Sequence, residues 1–237
     1  MYQTHGIKYL GSKRRMLAQL APIFKELKPR TALDVFTGTT RVAQVLRRMG
    51  VEVTTSDISD YSRVFSEAWV TGRHRIMHVD IMLQHIINSE ADGWFTKTYC
   101  DVPGVKGGVV RFMTPENGRK VDGIRDAIDN LHSKGVFTDD EKSLLVASLM
   151  IAMDKVDNTV GVHQAYLKHW CDRAKNDLNF KVLRAHTGGP TGNHVTGNVL
   201  DVALPSADIA YIDPPYTIAA YGSNYHIWES MAKWDKP

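Results

Sequence analysis

The stretch Thr31-Ala32-Leu33-Asp34-Val35-Phe36, followed by Thr37-Gly38-Thr39-Thr40, carries the signals of a short buried strand and of a tight turn that closes it. Residues 41–49 follow with the spacing of a helix. A second apolar strand pattern then occupies residues 51–56 and ends at Asp57. The order along the chain is therefore strand, small-residue turn, helix, strand and acid.

This order is typical of the mononucleotide-binding half of a Rossmann-like α/β fold. An acid at the end of the second strand can accept both hydroxyls of a ribose, and a glycine in the turn lets the backbone approach a ligand. The turn contains only one glycine, however, and Thr39 and Thr40 crowd the place where a pyrophosphate would lie. The turn therefore argues against NAD and favours a nucleoside ligand without phosphates, such as S-adenosylmethionine. Any α/β sheet with a glycine turn is the alternative interpretation.

A second motif, Asp213-Pro214-Pro215-Tyr216, follows an apolar run at residues 207–212 that predicts a buried strand. The two prolines end that strand and restrict the backbone around them. The motif offers a carboxylate, a backbone carbonyl without a ladder partner and an aromatic face. Asp213 and the Pro214 carbonyl could hold the hydrogens of a nucleobase amino group while Tyr216 stacks on the base. A strand-ending turn, with Tyr216 as ordinary packing, is the alternative.

The composition is that of a globular protein, with 237 residues, 43% hydrophobic residues and a formal net charge of +3. This length suits one α/β domain with an insertion, and the charge gives a mild preference for anionic partners. Cys100 and Cys171 are isolated, which excludes a disulfide framework or zinc knuckle and is typical of the reducing cytoplasm. No apolar run approaches the roughly 18 residues of a membrane span. His74 and His78 have a metal-binding spacing but no third ligand nearby, so we predict no metal site.

Helical spacing dominates the rest of the chain. Helices are predicted at residues 13–27, 59–70, 74–88, 120–132 and 138–156, and an irregular lobe at residues 91–118. Ser12 is the expected N-cap of the first helix, Pro22 predicts a kink or split near Ala21, and Thr138 with Glu141 forms a capping box. Residues 163–173 could lie along DNA or form a surface helix anchored by Tyr and Trp. Short strands are predicted at residues 180–184 and 194–200.

Taken in order, these segments resemble the adenine-specific DNA methyltransferases of the Dam-like alpha class, over nearly the whole chain. The matching segments are Lys8-Tyr9-Leu10-Gly11-Ser12-Lys13 (N-terminal cofactor motif), Asp34-Val35-Phe36-Thr37-Gly38-Thr39 (cofactor loop), Asp57-Ile58 (ribose-binding acid), Gly197-Asn198-Val199 (element beside the cofactor adenine) and Asp213-Pro214-Pro215-Tyr216 (catalytic tetrapeptide). Residues 112–118 and 163–170 are similar to segments of one branch of the family. RNA methyltransferases share the tetrapeptide, so the N-terminal motif and the order of motifs are more specific.

The resemblance implies a site-specific enzyme that transfers methyl from S-adenosylmethionine to the N6 amino group of adenine in double-stranded DNA. The cofactor ribose would bind Asp57, its adenine would lie near Ile58 and Val199, and Tyr9 and Lys13 would close over its methionine end. The extruded target adenine would use the tetrapeptide as described above. Residues 1–70 and 194–237 would form the Rossmann-like catalytic domain, and residues 71–193 a mostly helical insertion for DNA target recognition. Pairing with a restriction endonuclease is also expected.

This chain departs from the family pattern at two places. Asn198 stands where the family usually has Asp, and an amide can still accept from the cofactor's amino group, so weaker binding is expected. The chain ends at Pro237, so we also expect that the C-terminal strands of the family's sheet are missing and that the chain is a fragment. An RNA base methyltransferase and an inactive remnant that binds cofactor or nucleic acid are the alternatives.

Overall fold

The computed structural model of the protein describes residues 3–73, 79–100, 111–184, 188–216 and 221–237. The chain forms two compact units. The sheet unit comprises Met1–His74 and Leu183–Ala219, and the helical unit comprises Arg75–Val182 and Ala220–Pro237. His74 and His78, which were considered above as metal ligands, lie outside the described residues.

In the described part of the sheet unit, a parallel sheet of four strands is formed, in the spatial order β3-β2-β1-β4. The strands are β1 (Thr31–Val35), β2 (Glu52–Asp57), β3 (His194–Thr196) and β4 (Ile209–Ile212). The predicted Rossmann-like α/β architecture is thereby confirmed. β3 is shorter than the prediction because Gly197, at φ 146°, and the turn at Asn198 end it. Residues 180–184 were predicted as a strand but are not part of one.

The helices of the sheet unit are α1 (Leu17–Leu27), α2 (Arg41–Arg48) and α3 (Asp60–Ser66), the last continued by a π-helical turn at Glu67–Thr71. Apolar residues of α1 and α2 share a core with β1 and β2, including Leu17, Phe24, Val42, Leu46, Ala32 and Val53. The chain enters α1 through a 3-10 turn at Lys13–Arg15, and Ser12 makes no side-chain cap hydrogen bond. α1 also continues through Pro22, so the predicted split is absent from this helix.

The helical unit contains α4 (Val79–Ile87), α5 (Trp94–Tyr99), α6 (Pro115–Ser133), α7 (Asp139–Val156) and α8 (Tyr221–Lys233). The predicted capping box opens α7: Thr138 accepts from the Glu141 amide, and the Glu141 carboxylate accepts from the Thr138 amide. The predicted irregular lobe instead contains α5 and the start of α6, apart from residues 101–110, which are not described. Among the helices of the described ranges, none is long and apolar enough to cross a membrane.

α8 is grouped differently from the predicted domains, which stay a prediction. Residues 194–237 were assigned to the catalytic domain, whereas Ala220–Pro237 belongs to the helical unit. The buried Arg125 of α6 donates to the carbonyls of Met231 and Ala232 at the end of α8, and Trp234 donates to Asp126. Because the last carbonyls of a helix lack partners within it, these donors attach α8 firmly to α6.

Residues 163–173 correct a second expectation, because they do not form the surface helix considered above. They form a loop that is held by Asn158 and that runs into a 3-10 turn at Asp172–Lys175. The Asn158 side chain accepts from the Cys171 amide and donates to the Leu167 carbonyl, while the Leu167 amide donates to the Asn158 carbonyl. Arg173 binds the buried Asp157 carboxylate at 2.6 Å. The loop is therefore an ordered part of the helical unit.

A stability prediction follows from Asp122, a fully buried acid on α6. Its carboxylate accepts from the amides of Gly93, Phe95 and Thr96, which are at the start of α5, and from the Thr96 hydroxyl. Asp122→Ala would leave those donors buried without partners, so we predict a loss of about 3 kcal/mol or more in the free energy of unfolding. Urea denaturation measures this loss. The exposed Asp177, which contacts only Lys120 in the described structure, gives the control Asp177→Ala, expected to cost less than about 0.5 kcal/mol; equal losses would contradict the role of Asp122.

Candidate functional site

The carboxyl ends of β1, β2 and β4 bring three acids to one edge of the sheet. Asp34 of β1 pairs in register with Thr55 of β2 and Tyr211 of β4. Asp57 and Asp213 follow those partners by two residues, and the two-residue period of a strand puts them on the sheet face of Asp34. β1 lies between the other two strands, so the backbones of Asp57 and Asp213 are separated by about 10 Å, or two strand spacings.

The turn after β1 has an unusual backbone. Phe36, Gly38 and Thr40 all have positive φ, at 68°, 50° and 59°. Left-handed conformations are costly for a bulky residue such as Phe36 and recur at functional sites. The buried Asp34 holds this turn, because its carboxylate accepts from the Thr37 hydroxyl at 2.9 Å and from the Ala43 amide at 3.1 Å. Thr39 and Thr40 are both buried.

Asp57 links the turn to β2 and α3. One carboxylate oxygen accepts from the Gly38 amide at 2.9 Å, and the other accepts from the amide and hydroxyl of Ser59 at 3.0 and 2.6 Å. The Asp57 backbone carbonyl accepts from the Gly197 amide at 2.9 Å, next to Asn198. Asp57 therefore fixes the relative positions of the glycine turn, the start of α3 and the segment after β3.

The N-terminal segment is attached to α2. The buried Arg41 donates to the carbonyls of Thr4 and Gly6, and Gln44 exchanges two hydrogen bonds with the backbone of His5, at 2.8 and 2.9 Å. These bonds explain why residues 4–7, which have no regular secondary structure, keep a fixed course over α2. The segment then delivers Tyr9, and after a turn at Gly11, Lys13 to the carboxyl edge of the sheet.

Tyr9 lies directly on the glycine turn. A Cβ at position 38 would lie only 3.2 Å from the Tyr9 ring, and this tight contact together with a φ of 50° favours glycine. The Tyr9 ring centroid is 6.4 Å from that of Tyr61 on α3, and the two hydroxyls are 3.4 Å apart. Two aromatic rings therefore line the space beside Gly38 and Asp57.

The Asp213 carboxylate is engaged at both oxygens. Lys13 binds one at 2.6 Å, and the Tyr216 hydroxyl donates to the other at 3.1 Å. The side chains of Lys13 and Asp213 are only 20% and 18% exposed, whereas Tyr216 is 78% exposed. Tyr216 is therefore not core packing, contrary to the alternative considered above. Pro214 is half-buried and Pro215 is exposed.

Ile58, Asn198 and Val199 lie where β2 and β3 end. Ile58 is 72% exposed, and Asn198, also exposed, uses its side-chain oxygen to accept from the Leu200 amide at 3.2 Å. Val199 is half-buried. In the described part of the chain, the Gly197 hydrogen bond given above joins the segment of Asn198 and Val199 to Asp57. These apolar and amide groups, exposed or half-buried, are ones that a flat ligand beside Asp57 could cover.

The pKa of Asp34 reflects both the burial and the charges at this edge of the sheet. The pKa of its carboxyl is raised to about 7, chiefly by burial and to a smaller degree by the negative charges of Asp57 and Asp213, while the hydrogen bonds from Thr37 and Ala43 lower it. Because burial is the main cause, the raised pKa mostly reports the dry surroundings of Asp34, and the two other acids add to it. Lys13 is the cation that contacts this cluster in the described residues.

Sequence reasoning missed the residues that position the site. Ser59, Arg41 and Gln44 orient Asp57 and the N-terminal segment, as described above. The Asp-x-Ser spacing at residues 57–59 is a signal for the first, because Asp side chains often accept from the amide two residues later. Arg41 and Gln44 gave no such signal, because their partners are backbone groups more than 30 residues away. No cluster of metal-ligand side chains is formed among the residues that the structure describes.

Asp34 gives a prediction for the pH dependence of stability. Its pKa is about 7 in the folded chain against 3.8 for the free side chain, so the folded state holds a proton that the unfolded state releases between these values. Its contribution to stability is complete below about pH 4 and is lost as the pH rises to about 7. Asp34→Asn removes this proton uptake. We predict that the stability difference, variant minus wild type, grows as the pH rises from 4.5 to 7.5 in urea titrations; a constant difference would contradict the raised pKa.

Comparison with known proteins gives a consistent result. The model of the D12 class N6 adenine-specific DNA methyltransferase family matches residues 9–237. Modification methylase LlaI of Lactococcus lactis subsp. lactis is 30% identical over 98% of this chain and 39% of that protein, and modification methylase StsI of Streptococcus sanguinis is 26% identical over 98% and 37%. Type II methyltransferase M.NlaIII of Neisseria lactamica is 27% identical over 97% of this chain and 70% of its own length.

The chain spans less than two fifths of LlaI and StsI, so what those proteins do as a whole does not transfer directly to it. No solved structure matches the chain significantly. The family match nevertheless covers both motifs with which the sequence was interpreted, the glycine turn after β1 and the tetrapeptide after β4. The chain belongs to the D12 class of N6 adenine-specific DNA methyltransferases.

Proposed function

We propose that this chain methylates the N6 amino group of adenine at specific sites in double-stranded DNA, with S-adenosylmethionine as methyl donor. The observation that carries this proposal is the position of the tetrapeptide Asp213-Pro214-Pro215-Tyr216. Its acid and its exposed Tyr216 lie at the same sheet edge as Asp57 and the glycine turn. Family membership favours DNA over RNA as substrate. It does not distinguish an active enzyme from an inactive remnant, which the predictions below address.

The charge of the site supports S-adenosylmethionine over a dinucleotide. Three acids share this edge of the sheet, where Lys13 pairs with Asp213, and the charges of Asp57 and Asp213 add to the effect of burial in raising the pKa of Asp34. Such an edge repels a pyrophosphate and attracts a ligand that carries a sulfonium and an ammonium group. The amides of Thr37, Gly38 and Thr40 in the turn are already bonded within the protein, so the turn does not offer the row of free amides that binds phosphates. When bound, the cofactor supplies an electrophilic methyl group.

The residues around Asp57 form the proposed cofactor site. A carboxylate has about four acceptor positions, and Asp57 accepts the Gly38 amide and two groups of Ser59, so it can still accept from a ribose. Ile58 and Val199 would cover the faces of the cofactor's adenine, and Asn198 would accept from its amino group. The cofactor would lie on the turn that is formed by Asp34, Phe36, Thr37, Gly38 and Thr39. Tyr9, Gly11 and Lys13 would bound its methionine end.

Asp213 has the central catalytic role in this proposal. The amino group of adenine is a poor nucleophile because its lone pair is delocalised into the ring. Asp213 and the Pro214 carbonyl would accept its two hydrogens and turn the lone pair out of the ring plane, while Pro215 keeps the corner rigid and Tyr216 stacks on the base. Lys13 and the Tyr216 hydroxyl, which donate to Asp213, hold the carboxylate in place, and about two of its four acceptor positions are left for the amine.

The wider expectations remain proposals. The predicted insertion at residues 71–193 would recognise the DNA target, together with α8, which belongs to the helical unit. The target adenine would be extruded from the duplex, since a stacked base cannot reach Asp213. Pairing with a restriction endonuclease is suggested by the relatives named as modification methylases. Location in the cytoplasm rests on the isolated cysteines, both of them free.

We predict that Asp213→Ala lowers methyl transfer at least about 10³-fold, because the acceptor for the amine is removed, and leaves cofactor affinity within a few-fold of wild type. Transfer of labelled methyl to duplex DNA and to ribosomal RNA measures the first quantity, and calorimetry the second. Transfer by wild type to RNA alone would favour the RNA enzyme. Cofactor binding by wild type without any transfer would favour the inactive remnant, and an active Asp213→Ala variant would remove Asp213 from catalysis.

Asp57→Ala is expected to have the complementary effect. It removes the proposed ribose acceptor and frees the Gly38 amide, so the dissociation constant for S-adenosylmethionine should rise at least about tenfold in calorimetry. The control is Glu52→Ala, at the exposed amino end of the same strand, with unchanged affinity expected. A tight-binding Asp57→Ala variant would place the cofactor elsewhere.

A further inference from the structure

A bend in α8 is the starting point for a second site. Tyr225 interrupts this helix with non-helical angles, φ −133° and ψ 19°. The buried His163 takes up the backbone groups that the bend releases: its amide donates to the Asn224 carbonyl at 2.8 Å, and its Nδ1 accepts from the Ile227 amide at 3.2 Å. Because both bonds replace helical ones, the bend is a built feature and not a frayed end.

An open cleft lies at this bend, entirely within the helical unit. It has a volume of about 650 Å³ and is lined by His163, Gln164, Tyr166, Gly222, Ser223 and His226. Its size falls in the range of sites that hold small molecules or single groups of a larger ligand. The loop that supplies one wall is anchored by Asn158 and Asp157, as described above, so the cleft is largely formed in advance.

The lining favours an uncharged, planar ligand. No lysine, arginine or acid is among the described residues that line the cleft, which makes it a poor phosphate site. Tyr166 and the imidazoles supply aromatic surface. His226 Nδ1 lies 3.0 Å from the Ser223 carbonyl, which can only accept, so Nδ1 carries the proton and Nε2 of the neutral ring is an acceptor. An aromatic wall with a few neutral donors and acceptors suits a nucleobase.

The side chain of Gln164 could select adenine among the bases in this cleft. Its side chain is exposed, and a glutamine amide can donate to N7 and accept from N6 of adenine at the same time. Lys168, four residues further along the same loop and also exposed, suits a phosphate. The loop thus presents one group that can read a base and one that can hold the backbone.

We propose that this cleft receives one base of the DNA recognition sequence, distinct from the methylated adenine, and that Gln164 makes adenine the preferred base there. The proposal rests on the proposed function, because it takes DNA as the substrate. It predicts that specificity is set in the helical unit and is separable from catalysis at Asp213.

The test is selection of bound duplexes from a random DNA pool, which needs no methyl transfer. Wild type should enrich a short sequence. Gln164→Ala should weaken the adenine preference at one position about tenfold, and Gly222→Leu should weaken binding of the enriched duplex by filling the cleft. Gly222 is suited to this change, since an added Cβ meets nothing within 4 Å, its φ is not positive, and leucine favours a helix. Gly222→Ala and Gln84→Ala, an exposed glutamine on α4, are the matched controls and should behave as wild type.

Lys168→Ala separates base reading from backbone contact. It should weaken binding of all duplexes alike and reduce the salt dependence of binding by about one ion, without changing the preferred sequence. Unchanged preference in Gln164→Ala, a change at the methylated adenine itself, or no sequence enrichment by wild type would each overturn the proposal. Methyl transfer measured in parallel on the same samples reports on the proposed function separately, because that activity can survive any of these results.

Discussion

The parallel register of β1, β2 and β4 is the constraint on which the site depends. It places Asp57 and Asp213 at equal heights on the two strands that flank β1, with the glycine turn between them. No local feature could produce this arrangement. Along the chain, β1 and β2 are separated by a helix, and β2 and β4 are separated by some 150 residues. The parallel fold brings the acids together, and the repulsion between their charges opposes folding.

That cost has two visible compensations. Asp34 is driven toward its neutral form by burial and by the other two acids, which raise its pKa to about 7, and Lys13 contacts Asp213 directly. The N-terminal segment that carries Lys13 is attached to α2 by the buried Arg41 and by Gln44. A sheet edge with this charge is suited to a cationic ligand. Lys13 contacts the acid that the proposed chemistry needs. The same ion pair therefore stabilises the site and holds the Asp213 carboxylate in position for the substrate.

Local signals in the sequence predicted much of the sheet unit. The turn at Gly38, the acid after β2 and the proline corner after β4 are each specified within a few residues, by glycine, by strand periodicity and by proline. The same holds for the capping box of α7. The order of these motifs along the chain predicted the fold class, because a strand, turn, helix, strand pattern has one common solution.

What the sequence did not predict depends on distant partners. α8 joins the helical unit because Arg125, more than 100 residues earlier, binds its last carbonyls. Residues 163–173 form a loop, and not a helix, because Asn158 supplies bonds that a helix would have made internally. The strand predicted at residues 180–184 had suitable composition but no neighbouring strand to pair with in the described sheet. Composition indicates which secondary structure a segment can form, and the residues that it contacts elsewhere in the chain determine whether it forms.

The most direct measurement is a crystal structure of this chain with bound S-adenosylmethionine. The convergence of the three acids predicts that a ribose hydroxyl donates to Asp57 and that the sulfonium lies between the turn at Gly38 and Asp213. A cofactor bound away from that edge, or an Asp213 carboxylate turned away from the sulfonium, would contradict it.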